Sequence, residues 1–388
     1  MSDDILLSFE GSLFYFRIGI FCMLISYLID KDEKILKYFF YTLVLTFSIV
    51  IFYALIEYLF ALNKHPVRIS SFFGDELIMG SYLSRLLPLI FGLFLIKKNK
   101  TNLEKYLFII FVSFAYFSVF LSGERAAFFY INFSFLFIFC FIRIKFKWIF
   151  LFSIINIILF YTLVVNSNIT TGDRLLNRFT TNIILNMQLH KVLGNEDKDL
   201  VNEEENEEKI YKKPKIVDKQ IETTSKENNI EKKDKVPEKN EKTIIMFSLG
   251  HESLYLTAIN MFLDRPIIGH GPKLFRVKCS DPNYAEGVKS CMTHPHNFYV
   301  QLLAETGILG FLFLFILFVY VIFLCIKYFY YAYVKKIKIY SDYHICVLAC
   351  LLISIWPLIP NGNFFNNYLM MLYCLPLGFL NKKQNLQY

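Results

Sequence analysis

Nine apolar runs, each long enough to cross a bilayer, constrain this chain more than any other feature. They lie at about residues 12–29, 36–60, 77–96, 105–122, 126–142, 147–166, 307–328, 343–360 and 363–380. A bilayer offers no water to the backbone, so each run is expected to be helical. With 55% hydrophobic residues and 43 phenylalanines, the chain is also far more apolar than a soluble protein of its size. The sequence therefore predicts an all-α polytopic membrane protein with about nine transmembrane helices.

Lysine and arginine cluster in every second connection between these runs. The clusters fall at Lys31–Lys37, Lys97–Lys105, Arg143–Lys147, Lys327–Lys338 and Lys382–Lys383. Because basic connections favour the cytoplasmic side, one topology places residues 167–306 outside and the C-terminus inside. The net charge of +8 thus reflects membrane orientation, and no nucleic-acid partner is expected.

The predicted organisation has three parts. Transmembrane helices 1–6 lie in residues 1–166, a large, partly helical periplasmic loop spans 167–306, and helices 7–9 lie in 307–388. No cleavable signal peptide is expected, because the start, Met-Ser-Asp-Asp, lacks a basic region. Within the loop, residues 195–242 hold fifteen acidic and twelve basic residues and almost no aromatic ones. This insertion is expected to be disordered and dispensable for chemistry.

The stretch from Cys291 to Gly310 joins a histidine-containing turn to a helix that enters a membrane span. Asn297 is a good N-cap and Gly307 can end the first helical turns. His294 and His296 therefore lie beside a helix N-terminus, whose partial positive charge favours bound anions and neutral imidazoles. A neutral imidazole near an anion site is what a general base for phosphate-activated transfer requires.

Motifs in several parts of the chain carry a resemblance to a known family. His296-Asn297, nine residues and then Gly307-x-x-Gly310 resembles the signature of the O-antigen ligase and polymerase superfamily. The pattern Asp-x-Pro-x-x-Gly-x-Gly-x-x-x-Phe, from Asp264 to Phe275, also resembles this superfamily. The Trp356–Asn367 segment resembles it less specifically. The resemblance implies a bacterial inner-membrane protein of the GT-C type that moves glycans from undecaprenyl diphosphate to an acceptor. In that family arginines stand in for a metal, so no metal or cofactor is expected, and the transfer inverts the anomeric carbon.

A charged pair lies in the connection between the fourth and fifth runs. Glu124 and Arg125 are flanked by hydrophobic runs, where charges usually face a cavity or each other. They form either an ion pair that closes a hairpin or a site in which Arg125 clamps a diphosphate. The resemblance implies the second, because the superfamily commonly carries an active-site arginine in such a Ser-x-x-Arg turn.

Further cations fall in the large loop. Arg174 and Arg178 are four residues apart and either contact the substrate or anchor the chain to lipid headgroups. The glycine-rich turn from Ile267 to Arg276 carries His270, Lys273 and Arg276, which suit phosphate.

The loop also departs from the family in one position. Relatives often have an arginine where His251 follows Gly250, so His251 or a nearby arginine is expected to take over part of the diphosphate contact. The candidate catalytic residues are His296, Arg125 and His251. The candidate substrate-binding residues are Arg276, Lys273, Arg174, Arg178, His294 and Glu124.

Two cysteines differ from the six in apolar runs. Cys279 and Cys291 flank a polar loop, and outside the cytoplasm a disulfide between them is expected. A zinc site with His294 and His296 is the alternative, although the spacing matches no familiar zinc module.

The segment before Cys279 contains a predicted amphipathic helix from Ser253 to Leu263. This helix is expected to lie on the bilayer through Leu254, Ile259, Phe262 and Leu263.

Several functions fit these residues. The first is an inverting, metal-independent glycosyltransferase of the O-antigen ligase type, with an undecaprenyl-diphosphate-linked glycan as donor and lipid A-core as acceptor. An O-antigen polymerase that extends a growing glycan is the main alternative, and a protein O-oligosaccharyltransferase is a further variant. A membrane transporter would use the same charges to line a path, but no repeat relates the two halves. Membrane lipids are the remaining expected partners.

Overall fold

The apolar runs of the first half form helices. The structure is a computed structural model that describes residues 4–13, 15–60, 62, 68–165, 249–287 and 290–380. In chain order the helices of the first half are α1 (Ile5–Ser12), α2 (Phe16–Lys31), α3 (Lys34–Leu59), α4 (Met79–Ile96), α5 (Asn102–Leu121), α6 (Arg125–Phe141) and α7 (Phe146–Phe160). A 3-10 turn at Ser71–Glu76 precedes α4, and a π-helical turn at Tyr161–Val165 extends α7.

The second half is also helical. Its helices are α8 (Leu249–Asp264), α9 (Phe275–Lys278), α10 (Phe298–Phe329), α11 (Asp342–Ser354) and α12 (Asn367–Cys374). A π-helical turn, Tyr330–Val334, follows α10, and a 3-10 turn, Leu375–Phe379, follows α12. Residues 166–248 lie outside the described residues. The insertion at 195–242 and the bounds of the 167–306 loop therefore remain predictions.

The nine predicted runs correspond to α2–α7 and α10–α12, which confirms the all-helical membrane fold. Six helical segments of the described part are long and apolar enough to cross a membrane. Arg125–Phe141, Asp342–Ser354 and Asn367–Phe379 are apolar but shorter. The run predicted at 343–360 is helical only to Ser354, because the chain then turns through Pro357 and the Asn-Gly-Asn segment at 361–363. The chain is a multi-pass membrane protein.

Helices α4 and α11 form the centre of the bundle. Most side chains of α4 and nearly all of α11 are buried, whereas α7 has no buried residue and exposes its apolar side chains. A Cβ at Gly92 of α4 would lie 2.8 Å from the Cβ of Cys346 in α11, so the two helices come this close because Gly92 has no side chain. Lipid gives little hydrophobic driving force between helices, and close contacts of this kind hold such bundles together.

Helix α8 packs against the start of α10. Leu254, Ala258 and Met261 form a small buried cluster with Phe275, Cys279 and Ala304. The expectation that Leu254 faces the bilayer is therefore wrong, since only 1% of it is exposed. Ile259 and Leu263 are exposed on the opposite face, as predicted. This packing brings the N-terminal turns of α8 next to the histidine-containing turn.

Candidate active site

The first turn of α10 is capped entirely by side chains of the protein. Oδ1 of Asn297 accepts hydrogen bonds from the amides of Tyr299 (2.9 Å) and Val300 (3.2 Å). Oδ1 of Asn361 accepts from the amide of Phe298 at 2.9 Å. The predicted N-cap is confirmed, but the expectation that this helix end holds an anion is not supported. Its first amides already have partners, so an anion here depends on charged side chains.

The connection after α11 folds over this turn and fixes it. The amide of Asn361 donates to the carbonyl of His296 at 2.8 Å, and Nδ2 of Asn297 donates to the carbonyl of Pro357 at 2.7 Å. Deeper in the helix, Nε2 of Gln301 donates to Oδ1 of Asn363 at 2.8 Å. His296 has a φ of +57°, a backbone conformation that costs energy outside glycine and that these contacts hold in place.

The glycine-rich turn is tied to α10 through Glu305. The buried carboxylate of Glu305 accepts from the amides of Lys273 (3.0 Å) and Phe275 (2.9 Å), and its backbone carbonyl accepts from Gly271 at 2.8 Å. His270 of this turn is fully buried, with Nε2 2.9 Å from the carbonyl oxygen of Met261. The interpretation of His270 as a phosphate contact is therefore wrong, because the ring fills the protein interior.

Three imidazoles meet beside the start of α10. The ring centroids of His294 and His296 are 4.2 Å apart, and those of His251 and His296 are 5.4 Å apart. His251 comes from the first turn of α8 and His294 and His296 from the turn before α10. Nδ1 of His294 lies 3.0 Å from the hydroxyl of Thr293, and Nδ1 of His251 is buried without a hydrogen-bond partner among the described residues. We call His251, His294 and His296 the histidine cluster.

The environment of the histidine cluster favours the neutral form of all three imidazoles. Burial lowers the pKa of His296 to about 4, with a further contribution from His251. Burial, the neighbouring His296 and the Arg276 guanidinium lower the pKa of His294 to about 3. Burial and the Arg125 guanidinium also lower the pKa of His251. Each ring therefore keeps a nitrogen lone pair that can accept a proton.

Two guanidiniums act electrostatically on the histidine cluster. The charge of Arg125, at the first residue of α6, acts on His251, and the charge of Arg276, in α9, acts on His294. Both arginines are exposed. Two permanent cations thus act on three imidazoles, an arrangement that can hold an anion with two charged groups and accept a proton beside it.

The carboxylate of Glu124 binds backbone amides of α4 and forms no ion pair with Arg125 in the described part of the chain. Its two carboxylate oxygens accept from the amides of Gly80 (2.6 Å) and Ser81 (3.1 Å) at the start of α4. Burial raises the pKa of Glu124, while these bonds and the charges of Arg68 and Arg85 act in the opposite direction. The alternative prediction, an ion pair between Glu124 and Arg125 that closes the hairpin, is therefore wrong. Glu124 anchors α4 immediately before Arg125.

The other predicted substrate-binding residues are placed differently. The side chain of Lys273 runs along α1, where a Cβ at Gly11 would lie 3.1 Å from its Cγ and Cδ. Arg174 and Arg178 lie outside the described residues. The structure thus brings together Arg125, the histidine cluster and Arg276, and it places the side chain of Lys273 against α1.

Sequence reasoning gave no role to Arg85, which lies in the middle of the bundle. It is 1% exposed, and its Cζ lies 4.5 Å from the ring centroid of Tyr130 and 4.2 Å from that of Tyr373. Its Nε and Nη1 have no hydrogen-bond partner among the described residues. An arginine within an apolar run was the available signal, because intramembrane charges usually serve a function.

Cys279 and Cys291 are joined by a disulfide with a Cα–Cα distance of 4.7 Å. Cys279 belongs to the buried cluster under α8, whereas Cys291 is exposed three residues before His294. The disulfide uses both sulfurs, so neither is available to hold zinc with His294 and His296. It ties the histidine-containing turn to the segment that follows the glycine-rich turn.

Comparison with known proteins gives one match. A family model described as O-antigen ligase matches residues 108–315, more than half of the chain. The match runs from α5 through Arg125 and the histidine cluster into α10. Searches of curated proteins and of solved structures gave no match.

Proposed function

The chain belongs to the O-antigen ligase family, a family of glycan-transferring enzymes, and on that premise we propose that it transfers a glycan from an undecaprenyl-diphosphate-linked donor to an acceptor hydroxyl. The acceptor in this proposal is lipid A-core, as for a ligase. The observation that carries the proposal is the histidine cluster at the start of a membrane helix, within electrostatic reach of Arg125 and Arg276.

The two arginines bind the donor in this mechanism. As the bond between the anomeric carbon and the diphosphate oxygen breaks, negative charge builds on the leaving undecaprenyl diphosphate. In this proposal Arg125 and Arg276 neutralise that charge, which favours the transition state over the ground state. His251, next to Arg125, is positioned to donate a further hydrogen bond to the diphosphate. We propose that these groups take the part that a metal ion plays elsewhere.

His296 is the proposed general base. It removes the proton from the acceptor hydroxyl while the hydroxyl oxygen forms the new bond to the anomeric carbon. Attack from the side opposite the leaving diphosphate inverts that carbon. His296 is central in the histidine cluster, in ring contact with both His251 and His294, and Asn361 fixes its backbone. His294 supports the orientation of His296 and binds the substrate.

The distribution of charge supports an orientation. The helix ends opposite the histidine cluster carry Lys31, Lys34, Lys97, Lys98 and the Arg143–Lys147 segment. Because basic residues favour the cytoplasmic side, we propose an inner-membrane protein with its histidine cluster at the periplasmic surface. That side is also where an acceptor on the outer leaflet is within reach.

The test compares two single variants of neighbouring histidines in purified protein. His296→Ala should lower glycan transfer from an undecaprenyl-diphosphate donor by about 10²–10⁴-fold while donor binding stays intact. His294→Ala should keep a substantial fraction of transfer and serves as the matched control. Near-normal turnover by His296→Ala, or a failure explained by lost donor binding, would overturn the assignment of the base.

The acceptor is tested in the same assay. Purified lipid A-core and a lipid-linked glycan are supplied in separate reactions with one donor. Transfer to lipid A-core supports a ligase. Transfer only to the lipid-linked glycan contradicts the ligase and identifies a polymerase with the same chemistry.

A further inference from the structure

A cavity lies at the end of the bundle opposite the histidine cluster. It has a volume of about 400 Å³ and is bordered by the last turns of α4 and α6 and the first turns of α5 and α7. Gly80, beside Glu124, and Ile96, next to the cavity, are sixteen residues apart in α4, or about 24 Å at 1.5 Å per residue. The cavity is therefore separated from the histidine cluster by nearly the thickness of a bilayer core, about 30 Å.

The interior wall of this cavity is aromatic and aliphatic. Phe91 and Phe94 of α4, Phe108 of α5, Phe135 of α6 and Phe152 of α7 all line it. The rings of Phe94 and Phe108 stack with centroids 3.8 Å apart, which gives the wall a fixed surface. Such a wall suits an apolar group such as an acyl chain.

The rim of the cavity is strongly basic. Five cations line it, namely Lys100, Lys105, Arg143, Lys145 and Lys147, against a single carboxylate, that of Asp342. That carboxylate already accepts from Nζ of Lys338 at 2.6 Å. Burial and the ammonium groups of Lys105 and Lys97 lower the pKa of Lys100, and the carboxylates of Asp342 and Glu104 only partly oppose this effect. A bound anion at the rim would therefore favour the charged form of Lys100.

Aromatic side chains mark the depth of this rim. The rings of Tyr106 and Trp148 pack edge to face, 5.2 Å apart, and Nζ of Lys147 lies 4.5 Å from the centroid of the Trp148 ring. Tryptophan and tyrosine concentrate at the level of lipid headgroups. The cations therefore lie at headgroup depth, and the phenylalanine wall lies on the hydrocarbon side of them.

Membrane orientation explains why basic residues occur at this end, but it does not explain why five of them surround one apolar cavity. Lys31, Lys34 and Lys37 lie at the same end and line no part of it. Basic pockets between membrane helices bind the headgroups of anionic lipids. We propose that this cavity binds an anionic phospholipid of its own leaflet, with the phosphate among the rim cations and an acyl chain against the phenylalanines.

The test measures lipid preference in the full-length protein. Melting temperature in detergent is followed while phosphatidylglycerol or phosphatidylcholine is added, and native mass spectrometry identifies the lipid retained. The rim variant carries Arg143→Gln, Lys145→Gln and Lys147→Gln, three exposed positions. Because each cation near an anionic surface contributes about 1 kcal/mol, phosphatidylglycerol binding should weaken at least about tenfold.

Two further variants keep the test decisive. Lys31→Gln, Lys34→Gln and Lys37→Gln remove three cations at the same end outside the cavity and should leave the preference intact. Ile149→Trp partly fills the cavity without changing its charge and should reduce retained phosphatidylglycerol. Equal stabilisation by both lipids, or equal loss in the control triple variant, would overturn the proposal. So would the retention of undecaprenyl phosphate in place of phosphatidylglycerol.

Discussion

Gly269 and Gly307 pack backbone to backbone where the glycine-rich turn meets α10. Both have positive φ values, +64° and +65°. A Cβ at Gly269 would lie 2.5 Å from the carbonyl carbon of Glu305, and one at Gly307 would lie 2.3 Å from the carbonyl oxygen of Ile267. No side chain fits at either position, so two segments separated in sequence are held at backbone contact. The kink in α10 at Gly307 and the glycine-rich turn are therefore one structural unit.

The first prediction concerns this contact. Gly269→Ala and Gly307→Ala should each destabilise the protein by more than about 1 kcal/mol, because alanine is strained at positive φ and the added methyl group meets backbone. Transfer should fall as well, since a displaced turn moves Arg276 relative to His294. Gly19→Ala is the matched control, because a Cβ added at Gly19 would have no neighbouring atom within 4 Å. Thermal unfolding in detergent is the measurement, and an unchanged midpoint for both variants contradicts the prediction.

Much of the fold could be predicted from sequence because lipid leaves few options. Long apolar runs form helices whatever their partners, so α2–α7 and α10–α12 followed from hydrophobicity alone. The N-cap at Asn297 also followed, since it depends on residues two and three positions away. The run at 343–360 was predicted too long as a helix, because the chain leaves the helix after Ser354 and turns through Pro357 and the Asn361–Asn363 segment.

The site was predictable in its residues but not in its arrangement. His296 was singled out from its place beside a helix N-terminus, whereas the family resemblance pointed to His251 and favoured Arg125 as a diphosphate clamp. The predicted anion site at the N-terminus of α10 is not available, because Oδ1 of Asn361 already accepts the hydrogen bond of the Phe298 amide. Asn361 lies more than sixty residues along the chain from Phe298. Nothing local in the sequence signals such a contact. The burial of His270 was missed for the same reason.

The second prediction concerns pH. The pKa of His296 is lowered by burial from 6.5 to about 4, so a base at this position stays deprotonated down to about pH 5. kcat/KM for transfer should therefore be nearly flat from pH 8 to about 5 and decline towards pH 4. A diphosphate esterified at both ends does not titrate in this range. An acid limb with an apparent pKa near 6.5 contradicts a buried His296 as the base.

Folding stability changes in the same range and needs its own measurement. The folded state keeps these imidazoles neutral, so the unfolded state binds protons first as pH falls. Stability is therefore complete above the ordinary pKa of 6.5 and declines as pH drops towards the lowered values of about 3 and 4. Initial rates taken at once, with recovery checked after return to pH 7, separate the two effects.

The third prediction concerns the disulfide. Cys291→Ala should cost about 3 kcal/mol of stability, the value expected for closing a loop of this size. Transfer should also fall, because the turn carrying His294 and His296 loses its link to the buried Cys279. Cys140→Ala, at an exposed free cysteine, is the control. Mass spectrometry of alkylated, unreduced protein gives an independent check, and free thiols at both Cys279 and Cys291 contradict the bond.

The fourth prediction follows from two opposing effects at Arg85. Two stacked tyrosines stabilise its guanidinium by up to about 2 kcal/mol each. Against this, burying the charge costs several kcal/mol, and each of its two unpartnered nitrogens costs about 1–3 kcal/mol more. The costs exceed the gain, so an apolar residue of similar volume should be at least as stable here. Arg85 is then expected to be retained for activity.

Arg85→Met should accordingly keep or raise the melting temperature while glycan transfer falls. Burial raises the pKa of Glu124 and the charge of Arg85 opposes this effect, while the Glu124 carboxylate accepts from the amides of Gly80 and Ser81. Without that charge Glu124 protonates more readily, and its hydrogen bonds to the amides of Gly80 and Ser81 weaken. Arg125 follows Glu124 in the chain, so its guanidinium is expected to move relative to the diphosphate of the donor. Lys98→Met, at an exposed position at the far end of α4, should change neither property. A melting temperature several degrees lower in Arg85→Met would show that the two tyrosine contacts outweigh the burial cost.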